Sequence, residues 1–567
     1  MFCLALNLSG CSTDGTIFPV LVNRNVMIPM CDGVNLATDI YYPVGLSRAP
    51  AILVRTVYGK NSLMDVNMYL RFASKGYYVL VQDVRGRSRS EGAFYPFLDD
   101  SGDGKETIAW IRGQHWFDGN LGTYGPSFLG ITQWLAAPDE DIDAMYVVFA
   151  SHNLPDVTYT GGQLHLLSVF NWAMLLGDGR FMQYGTDLDE CSGFLDTLPL
   201  EKADDLAGSD VSYFNDLLDM QSAWDLFSEI DYTDSFERIS SPVVTIAGWY
   251  DFFLGPQLND YQKLLREGGK PAGRSVLIVG PWGHGPSGDG TVDFGDAADM
   301  HDAQGYISAH KWFDYWLKDN ITVPGDLSGV SLFVMGDNTW RAEEEWPLAR
   351  TVYTNYYLDS GGSANTRSGD GTLSVEKPAE DSPFDYYSYD PENPVPTLGG
   401  NNLISSVGPY DQSVIEDRTD VLCYTSPVLQ EDLEVTGPLT AVLYAASDAV
   451  DTDFTMKLVD VYPDGTPVNI QDGIVRALYR YNDPALPEPL TPGAIEQYSI
   501  DLWATANVFK AGHRIRVEVS SSNFPRFNRN LNSGEYVPGA VSPVIARQSI
   551  CHTSEYPSHI VLPIIPR

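Results

Sequence analysis

A serine at position 127 stands in the sequence Gly-Pro-Ser-Phe-Leu-Gly, where an apolar strand pattern changes into a helical one. A sharp strand-to-helix turn of this kind exposes the serine hydroxyl and is called a nucleophile elbow. The backbone N–H of Phe128, at the start of the helix, would point at the oxyanion that forms when Ser127 attacks a carbonyl carbon. The motif departs from Gly-x-Ser-x-Gly because its second glycine is Gly130. Alone, it is equally compatible with a turn that has no catalytic role.

An acid and a histidine follow two later apolar runs, each at its carboxyl end. Asp251 comes after the run 242–248, and His284 comes after the run 275–280. Serine, acid and histidine in this chain order are typical of an α/β-hydrolase triad. In such a triad the histidine takes the serine proton and returns it to the leaving group, while the acid orients and stabilises the imidazolium. The order therefore predicts a triad of Ser127, Asp251 and His284.

A tyrosine follows an earlier strand, in a position where its hydroxyl could also serve the reaction. Tyr58 lies just after the apolar run 50–56, and its O–H could donate a hydrogen bond to an oxyanion. From position alone, a packing role for this tyrosine is the simpler interpretation. The charged, glycine-punctuated loop 83–92 follows the next run, and its Arg and Asp residues are expected to form ion pairs.

Aromatic residues near the acid and the histidine could supply apolar contact area for a substrate. One further candidate lies in a helical segment that would cap the site, although a plain helical core would also explain it. The predicted substrate-pocket residues are Trp172, Trp249, Phe252, Phe253 and Trp282.

Apolar runs of strand length alternate with helical patterns, as in a parallel α/β sheet. Such runs lie at 50–56, 76–83, 121–125, 144–150, 242–248 and 275–280. Short alternating segments separated by turn residues predict an all-β sandwich in the last part of the chain. The predicted units are a signal or lipoprotein segment (1–22), an α/β-hydrolase domain (23–150 and 240–328), a helical cap insert (151–239) and a β-sandwich (329–567).

The amino-acid composition limits the kinds of partner that the protein is expected to bind. The chain carries 35 Lys and Arg against 75 Asp and Glu, a formal net charge of −40, which disfavours nucleic acid and anionic membrane surfaces as partners. Its six cysteines form no Cys-x-x-Cys pair and show no regular spacing, so neither a zinc site nor a disulfide scaffold is expected. We expect no metal and no cofactor. Whether the protein forms a homo-oligomer stays open.

The segment Leu8–Cys11 resembles the lipobox of bacterial lipoproteins, in which the cysteine is lipidated. No basic residue precedes it and its apolar run is short, so an accidental match is an equal alternative. A lipidated Cys11 would be the means of membrane attachment and would place the protein in the cell envelope or outside the cell. Without lipidation, a cytoplasmic location is expected.

Five segments together resemble the cocaine esterase/NonD hydrolases of the Xaa-Pro dipeptidyl-peptidase group. These are the residues 55–58, 83–92, 125–130, 248–251 and 280–284. The segments 511–517 and 522–527 are similar to the carboxyl-terminal domain of that family. The resemblance implies that Ser127, Asp251 and His284 are nucleophile, acid and base, that the Tyr58 hydroxyl and the Phe128 N–H hold the oxyanion, and that the β-sandwich is a jelly roll.

Several functions remain compatible with these residues. The preferred hypothesis is a serine hydrolase that cleaves a small acyl ester, with aromatic acyl groups among the candidates. An Xaa-Pro dipeptidyl-peptidase acting on short peptides is the alternative. Hydrolysis of α-amino acid esters or amides is less favoured, because Leu129 stands where such relatives typically carry Glu. Family members commonly have Val or Ser where this chain has Pro126, which fixes the backbone next to the serine. A non-catalytic, sugar-binding surface lipoprotein is a remote alternative that would leave the triad unexplained.

Overall fold

The computed structural model describes residues 17–61, 63–177, 193–230, 235–285, 290–300, 307–318, 329–481, 487–535 and 537–566. The lipobox-like segment Leu8–Cys11 lies outside these residues. Within the described ranges, no helix combines the length and the apolar character that a membrane crossing requires.

In the described part of the chain, ten strands form a first, largely parallel sheet. They are β1 (Val20–Pro29), β2 (Asn35–Pro43), β3 (Ala49–Thr56), β4 (Tyr78–Asp83), β5 (Phe117–Pro126), β6 (Ala144–Val148), β9 (Val243–Gly248), β10 (Val276–Gly280), β11 (Gly329–Val334) and β12 (Thr339–Glu343). Their order across the sheet is β1-β2-β4-β3-β5-β6-β9-β10-β11-β12. The seven strands from β4 to β11 in this order run parallel, and β1, β2 and β12 add antiparallel edges.

Helices cover both faces of this sheet. They are α1 (Leu63–Ser74), α2 (Asp100–Arg112), α3 (Phe128–Ala136), α9 (Leu254–Glu267) and α10 (Ala309–Lys318). In β3, Ala51 and Leu53 pack into the core with α2, α3 and α9, while Ile52 and Val54 pack into the core with α1 and α10. Strands covered on both faces have no polar side, which explains their continuous apolar runs.

The chain between β6 and β9 is mainly helical and has its own apolar core. Its elements are α4 (Leu154–Thr158), the hairpin β7 (Tyr159–Thr160) and β8 (Gln163–Leu164), α5 (Leu166–Leu176), α6 (Ala203–Leu206), α7 (Ser212–Leu218) and α8 (Met220–Glu229). Leu166 and Phe170 of α5 pack with Phe214 of α7, and Phe524 from the carboxyl-terminal part of the chain joins the same core.

Within the described carboxyl-terminal residues, eleven strands form a second sheet. The same part of the chain contains the short helix α11 (Ser413–Glu416). The strands are β13 (Val352–Asp359), β14 (Thr372–Ser374), β15 (Asp385–Tyr389), β16 (Leu422–Thr425), β17 (Leu433–Ser447), β18 (Asp453–Val461), β19 (Pro467–Arg476), β20 (Glu496–Phe509), β21 (Arg514–Ser520), β22 (Ala546–Cys551) and β23 (His559–Ile565). Apart from the β14–β16 pair, neighbouring strands run antiparallel. The predicted combination of an α/β domain and a carboxyl-terminal all-β domain is confirmed.

The first sheet extends beyond the boundary predicted for the β-sandwich. The sequence pattern placed the start of the β-sandwich at residue 329, but β11 pairs in parallel with β10, and β12 pairs with β11. The first sheet therefore continues to Glu343. Alternation of apolar and polar residues indicates a strand but does not indicate which sheet it joins, because that depends on hydrogen bonds to strands distant in the sequence.

The turn from β5 into α3 depends on two glycines that let strand and helix approach closely. A Cβ atom on Gly125 would lie 2.3 Å from Cβ of Leu129, and Gly125 has a φ of +155°. A Cβ atom on Gly130 would lie 2.4 Å from Cβ of Ala150, which follows β6. Contacts this short do not occur between carbon atoms, so neither position can accept a side chain without movement of the backbone.

We expect Gly130→Ala to destabilise the protein by about 1–3 kcal/mol, because the added methyl group forces α3 away from β6. Gly102→Ala in α2 is a matched control, since its new Cβ would have no atom within 4 Å. There the gain in helix propensity should stabilise the protein by up to about 1 kcal/mol. Thermal melting of both variants measures the difference, and equal melting temperatures would contradict the close packing of α3.

Candidate active site

Ser127 occupies a strained turn between β5 and α3. Its φ is +54° and its ψ is −129°, a conformation that L-residues rarely adopt and that costs on the order of 1–3 kcal/mol. Its backbone N–H donates to the Val148 carbonyl at 2.9 Å, which fixes the turn against the end of β6. Pro126 continues the pairing of β5 with β6, so the elbow forms with proline at this position.

Asp251 and His284 meet above the ends of the neighbouring strands β9 and β10. The Nδ1 atom of His284 lies 3.0 Å from Oδ1 of Asp251. The side chain of Asp251 is fully buried, whereas 13% of the His284 side chain is exposed. With the Nδ1 proton donated to Asp251, the Nε2 atom of His284 is free to accept a proton.

Aromatic side chains that contact His284 also lie close to Ser127. Phe149 directly follows Val148, the acceptor for Ser127, and its ring centroid lies 5.8 Å from that of His284. The rings of Phe252 and Phe253 lie 5.4 Å from the imidazole, and both side chains line the same cavity as Ser127. Ser127, Asp251 and His284 thus follow β5, β9 and β10 of one sheet, and two of the rings that contact His284 line the cavity beside Ser127.

Tyr58 brings its hydroxyl to this site. The indole Nε1–H of Trp172 donates to the Tyr58 hydroxyl at 3.2 Å, so the tyrosine's own hydrogen remains available for another acceptor. Although 39% of the residue is exposed, burial of the hydroxyl end raises the pKa of Tyr58, while hydrogen bonds with Trp172 and Ser127 and the charge of Arg87 act in the opposite direction. Tyr58 is therefore a neutral hydrogen-bond donor at physiological pH.

The loop that carries Tyr58 is held by a buried ion pair. The backbone N–H of Lys60 donates to one carboxylate oxygen of Asp83 at 2.6 Å, and its ammonium donates to the other at 2.7 Å. Arg85, in the same charged loop as Asp83, pairs with Asp103. The charged residues of the loop 83–92 thus form the ion pairs expected from the sequence, and one of them anchors the chain two residues after Tyr58.

The backbone N–H of Phe128 is a second donor beside Ser127. Phe128 is the first residue of α3, so its N–H has no acceptor within the helix. The Phe128 ring is buried and stacks on Phe97 and Trp172, with ring centroids 5.5 and 6.1 Å away. This packing fixes the end of the helix at which the N–H points.

Ser127 opens into a small apolar cavity of about 60 Å³. The described residues that line it are Phe97, Ser127, Phe128, Ile131, Leu154, Val157, Thr158, Ser168, Val169, Trp172, Leu217, Phe252, Phe253 and Leu403. No Asp or Glu is among these described residues. Among these described residues the cavity thus presents apolar and hydroxyl-bearing side chains rather than carboxylates.

The structure separates the five predicted pocket residues into two groups. Trp172, Phe252 and Phe253 line the cavity, but Trp249 and Trp282 do not. Trp249 is fully buried and donates to the Phe333 carbonyl, and Trp282 is buried and donates to the Ala298 carbonyl. The indoles of these two tryptophans are therefore directed into the packed interior and not into the cavity at Ser127.

Sequence reasoning missed several residues of the cavity. Phe97 follows the charged loop, Leu217 belongs to α7, and Leu403 comes from the all-β domain. Their apolar character gave no signal that distinguished them from ordinary core residues. A larger cleft of about 360 Å³ lies elsewhere, between α4, α8 and β20, and Ser127, Asp251 and His284 are not among its described lining residues.

Comparison with protein families gives two matches that follow one another along the chain. Residues 32–286 match the model of the X-Pro dipeptidyl-peptidase family S15. Residues 323–561 match the X-Pro dipeptidyl-peptidase C-terminal non-catalytic domain. The first match contains Ser127, Asp251 and His284, and the second contains Leu403.

Three similar proteins extend over nearly the whole chain. The cocaine esterase of Rhodococcus sp. (strain MB1 Bresler) is 39% identical, and the match covers 96% of this chain and 99% of the relative. The crystal structure of an aminopeptidase from a marine sediment Thaumarchaeota archaeon has a TM-score of 0.79 at 24% identity, covering 99% of each chain. An α-amino acid ester hydrolase has a TM-score of 0.75 at 23% identity, covering 98% of each. The chain therefore belongs to the cocaine esterase/NonD hydrolases of the X-Pro dipeptidyl-peptidase (S15) family.

Proposed function

We propose that this protein hydrolyses carboxylic esters of small, uncharged acyl groups through the triad Ser127, His284 and Asp251. The observation that carries the proposal is the buried Asp251–His284 pair beside a strained serine that opens into an apolar cavity. The chain is a serine carboxylester hydrolase, and a relative named cocaine esterase supports an ester rather than a peptide as substrate.

Acylation begins when His284 Nε2 takes the proton of Ser127 and the serine Oγ attacks the ester carbonyl carbon. The carbonyl oxygen becomes an oxyanion, which the Tyr58 O–H and the Phe128 N–H stabilise. Asp251 stabilises the imidazolium that has formed. When the tetrahedral intermediate collapses, the bond to the alcohol oxygen breaks, and the alcohol leaves with the proton from His284. The acyl group then remains on Ser127.

Deacylation repeats these steps with water in place of the serine. His284 takes a proton from the water molecule, and the resulting hydroxide attacks the acyl carbon. The same two donors stabilise the second oxyanion. Collapse breaks the bond to Ser127 Oγ, which recovers its proton from His284, and the carboxylic acid is released.

The cavity walls favour a flat or short acyl group. Phe97, Phe128 and Trp172 form a stacked aromatic wall, in which the rings of Phe97 and Trp172 are 5.6 Å apart and nearly parallel. Phe252 and Phe253 form the side next to His284. An acyl group between these surfaces gains apolar and aromatic contact without leaving a charge unpaired.

The second candidate function is the removal of Xaa-Pro dipeptides or the hydrolysis of α-amino acid esters. The matched family of X-Pro dipeptidyl-peptidases favours it, as does the similarity to an aminopeptidase and to an α-amino acid ester hydrolase. Such substrates carry an ammonium group close to the scissile bond, and burying it without a carboxylate costs several kcal/mol. The lack of Asp and Glu among the described cavity residues disfavours this candidate. A non-catalytic sugar-binding role does not fit a chain that belongs to a family of hydrolases.

We expect Ser127→Ala to lower kcat by about 10⁴-fold or more, because no other group can carry the acyl intermediate. The fold should persist, since the hydroxyl contributes little to packing. A fluorophosphonate probe, which labels activated serines, should modify the wild-type protein at Ser127 and leave the variant unmodified. A variant with a tenth of the wild-type kcat would remove Ser127 from the mechanism.

Tyr58→Phe should lower kcat by about 10²–10³-fold, or ~3–4 kcal/mol, because it removes a donor that matters once the oxyanion has formed. KM should change only a few-fold, since ground-state binding is nearly unaffected. Tyr387→Phe is the matched control: its buried hydroxyl pairs with Ser521 in the all-β domain at 2.8 Å. That variant should lose about 1 kcal/mol of stability and keep kcat. If both variants keep kcat, backbone donors alone hold the oxyanion.

A matched pair of substrates distinguishes the two candidate functions. The p-nitrophenyl esters of phenylacetic acid and of phenylglycine differ in the α-ammonium group. We expect kcat/KM to be about 10²-fold or more higher for the phenylacetyl ester, because the cavity leaves the ammonium unpaired. Gly-Pro and Ala-Pro p-nitroanilides should not be cleaved. Preference for the phenylglycyl ester, or efficient cleavage of either anilide, would favour the second candidate.

A further inference from the structure

A loop of the all-β domain reaches the catalytic domain beside the proposed active site. This 399–408 loop is closed at its base, where the backbones of Gly400 and Gly408 exchange hydrogen bonds of 2.8 and 3.0 Å. The side chain of Asn402 donates to the carbonyls of Gly399 and Ser406 at 3.2 and 2.7 Å. These internal bonds hold the loop in one conformation.

The neighbouring Asn401 is directed out of the loop and toward the segment that carries the proposed acid. Its Nδ2 atom donates to the backbone carbonyls of both Trp249 and Asp251, each at 3.0 Å. Gln471 of β19 donates to the same Trp249 carbonyl at 2.7 Å. Asn401 is fully buried and Gln471 nearly so, so solvent does not compete with these donors in the folded protein.

The same loop also contacts the segment of the proposed base. A Cβ atom on Gly283, which precedes His284, would lie 2.2 Å from Cγ1 of Val407. Leu403, between Asn401 and Val407 in the sequence, lines the cavity of Ser127. One loop thus touches the backbone of the acid, the residue before the base and the wall of the cavity.

We propose that Asn401 and Gln471 are positioning residues for catalysis, so that the all-β domain completes the active site. The inference rests on the proposed roles of Asp251 and His284. Neither amide lines the cavity of Ser127 among the described residues; each acts by holding the two carbonyls on either side of Tyr250. The held backbone determines where the carboxylate of Asp251 meets Nδ1 of His284.

Catalysis is sensitive to small errors in this position. A displacement of about 1 Å in a reacting constellation can lower the rate by about 10²-fold. Without the Asn401 amide, the Asp251 carbonyl retains its hydrogen bond from Leu254, and the Trp249 carbonyl retains Gln471. The segment should therefore stay folded but hold the carboxylate less accurately.

A double-mutant cycle on the full-length protein tests the inference with an ester substrate. We expect Asn401→Ala to lower kcat by about 10–100-fold and to change KM by less than about 3-fold. In an Asp251→Ala background, the same substitution should change the residual kcat by less than about 2-fold, because the residue on which it acts is gone. Gln548→Ala is the control: this buried amide of the all-β domain donates to Thr452 at 2.9 Å, away from the site, and its loss should leave kcat unchanged.

The outcomes separate the inference from the proposed triad. If Asp251→Ala keeps the wild-type kcat, the assignment of the acid fails and the positioning role fails with it. If Asp251→Ala loses activity but Asn401→Ala does not, or lowers kcat equally in both backgrounds, only the positioning role is overturned. If Asn401→Ala does not fold, Gln471→Ala removes one of the two side-chain donors to the Trp249 carbonyl. Its kcat is interpreted in the same way, and the expected loss of kcat is smaller.

Discussion

The pairing of Asp251 with His284 depends on hydrogen bonds that continue beyond the ends of two parallel strands. In β9 and β10, Gly248 stands opposite Gly280. Past this point, the N–H of Trp249 donates to the Gly280 carbonyl at 2.8 Å, and the N–H of Tyr250 donates to the Trp282 carbonyl at 2.9 Å. The backbones of both loops are therefore fixed relative to each other before either functional side chain is considered.

Two glycines allow the backbone hydrogen bonds to continue beyond the ends of β9 and β10. A Cβ atom on Gly248 would lie 2.2 Å from the Trp282 carbonyl oxygen, and one on Gly280 would lie 2.4 Å from the Trp282 ring. The two loops can approach only because both positions lack side chains. Trp282, which the sequence suggested for the substrate pocket, instead fills the space beside Gly280. Its role is to pack the loop that presents His284.

The surroundings of the proposed triad contrast with the charge of the whole chain. The formal net charge is −40, yet the cavity at Ser127 is lined by apolar and hydroxyl-bearing side chains among the described residues. Rings of Phe149, Phe252 and Phe253 surround the imidazole. In such a site the attraction between Asp251 and a protonated His284 is less screened than it would be in water.

The sequence predicted the parts of the site that depend on local pattern. Ser127, Asp251 and His284 each follow a run of strand length, and the structure places those runs in one sheet as the parallel strands β5, β9 and β10, with β6 between β5 and β9. The predicted α/β and all-β classes were confirmed, because they too depend on the local pattern of apolar residues. Local pattern could not assign β11 and β12 to the first sheet. Nor could it indicate that Leu403 and Asn401, about 150 residues beyond Asp251 in the chain, would pack against the site, because such contacts arise only in the tertiary fold.

The two domains share one apolar core as well as the hydrogen bonds at Asn401. Trp249, Tyr250 and Leu254, around the proposed acid, pack with Val407 and Trp503 of the all-β domain. The fit is close, since a Cβ atom on Gly255 would lie 2.5 Å from the Trp503 ring.

Backbone pairing joins the same two parts, with Met335 after β11 bonded to Ala506 and Val508 of β20. Removing the all-β domain would expose this apolar surface to water and would leave the Trp249 carbonyl without both of its side-chain donors. The α/β domain consequently lacks the contacts that it would need to hold its acid loop by itself, so its fold and its proposed chemistry depend on the same interface.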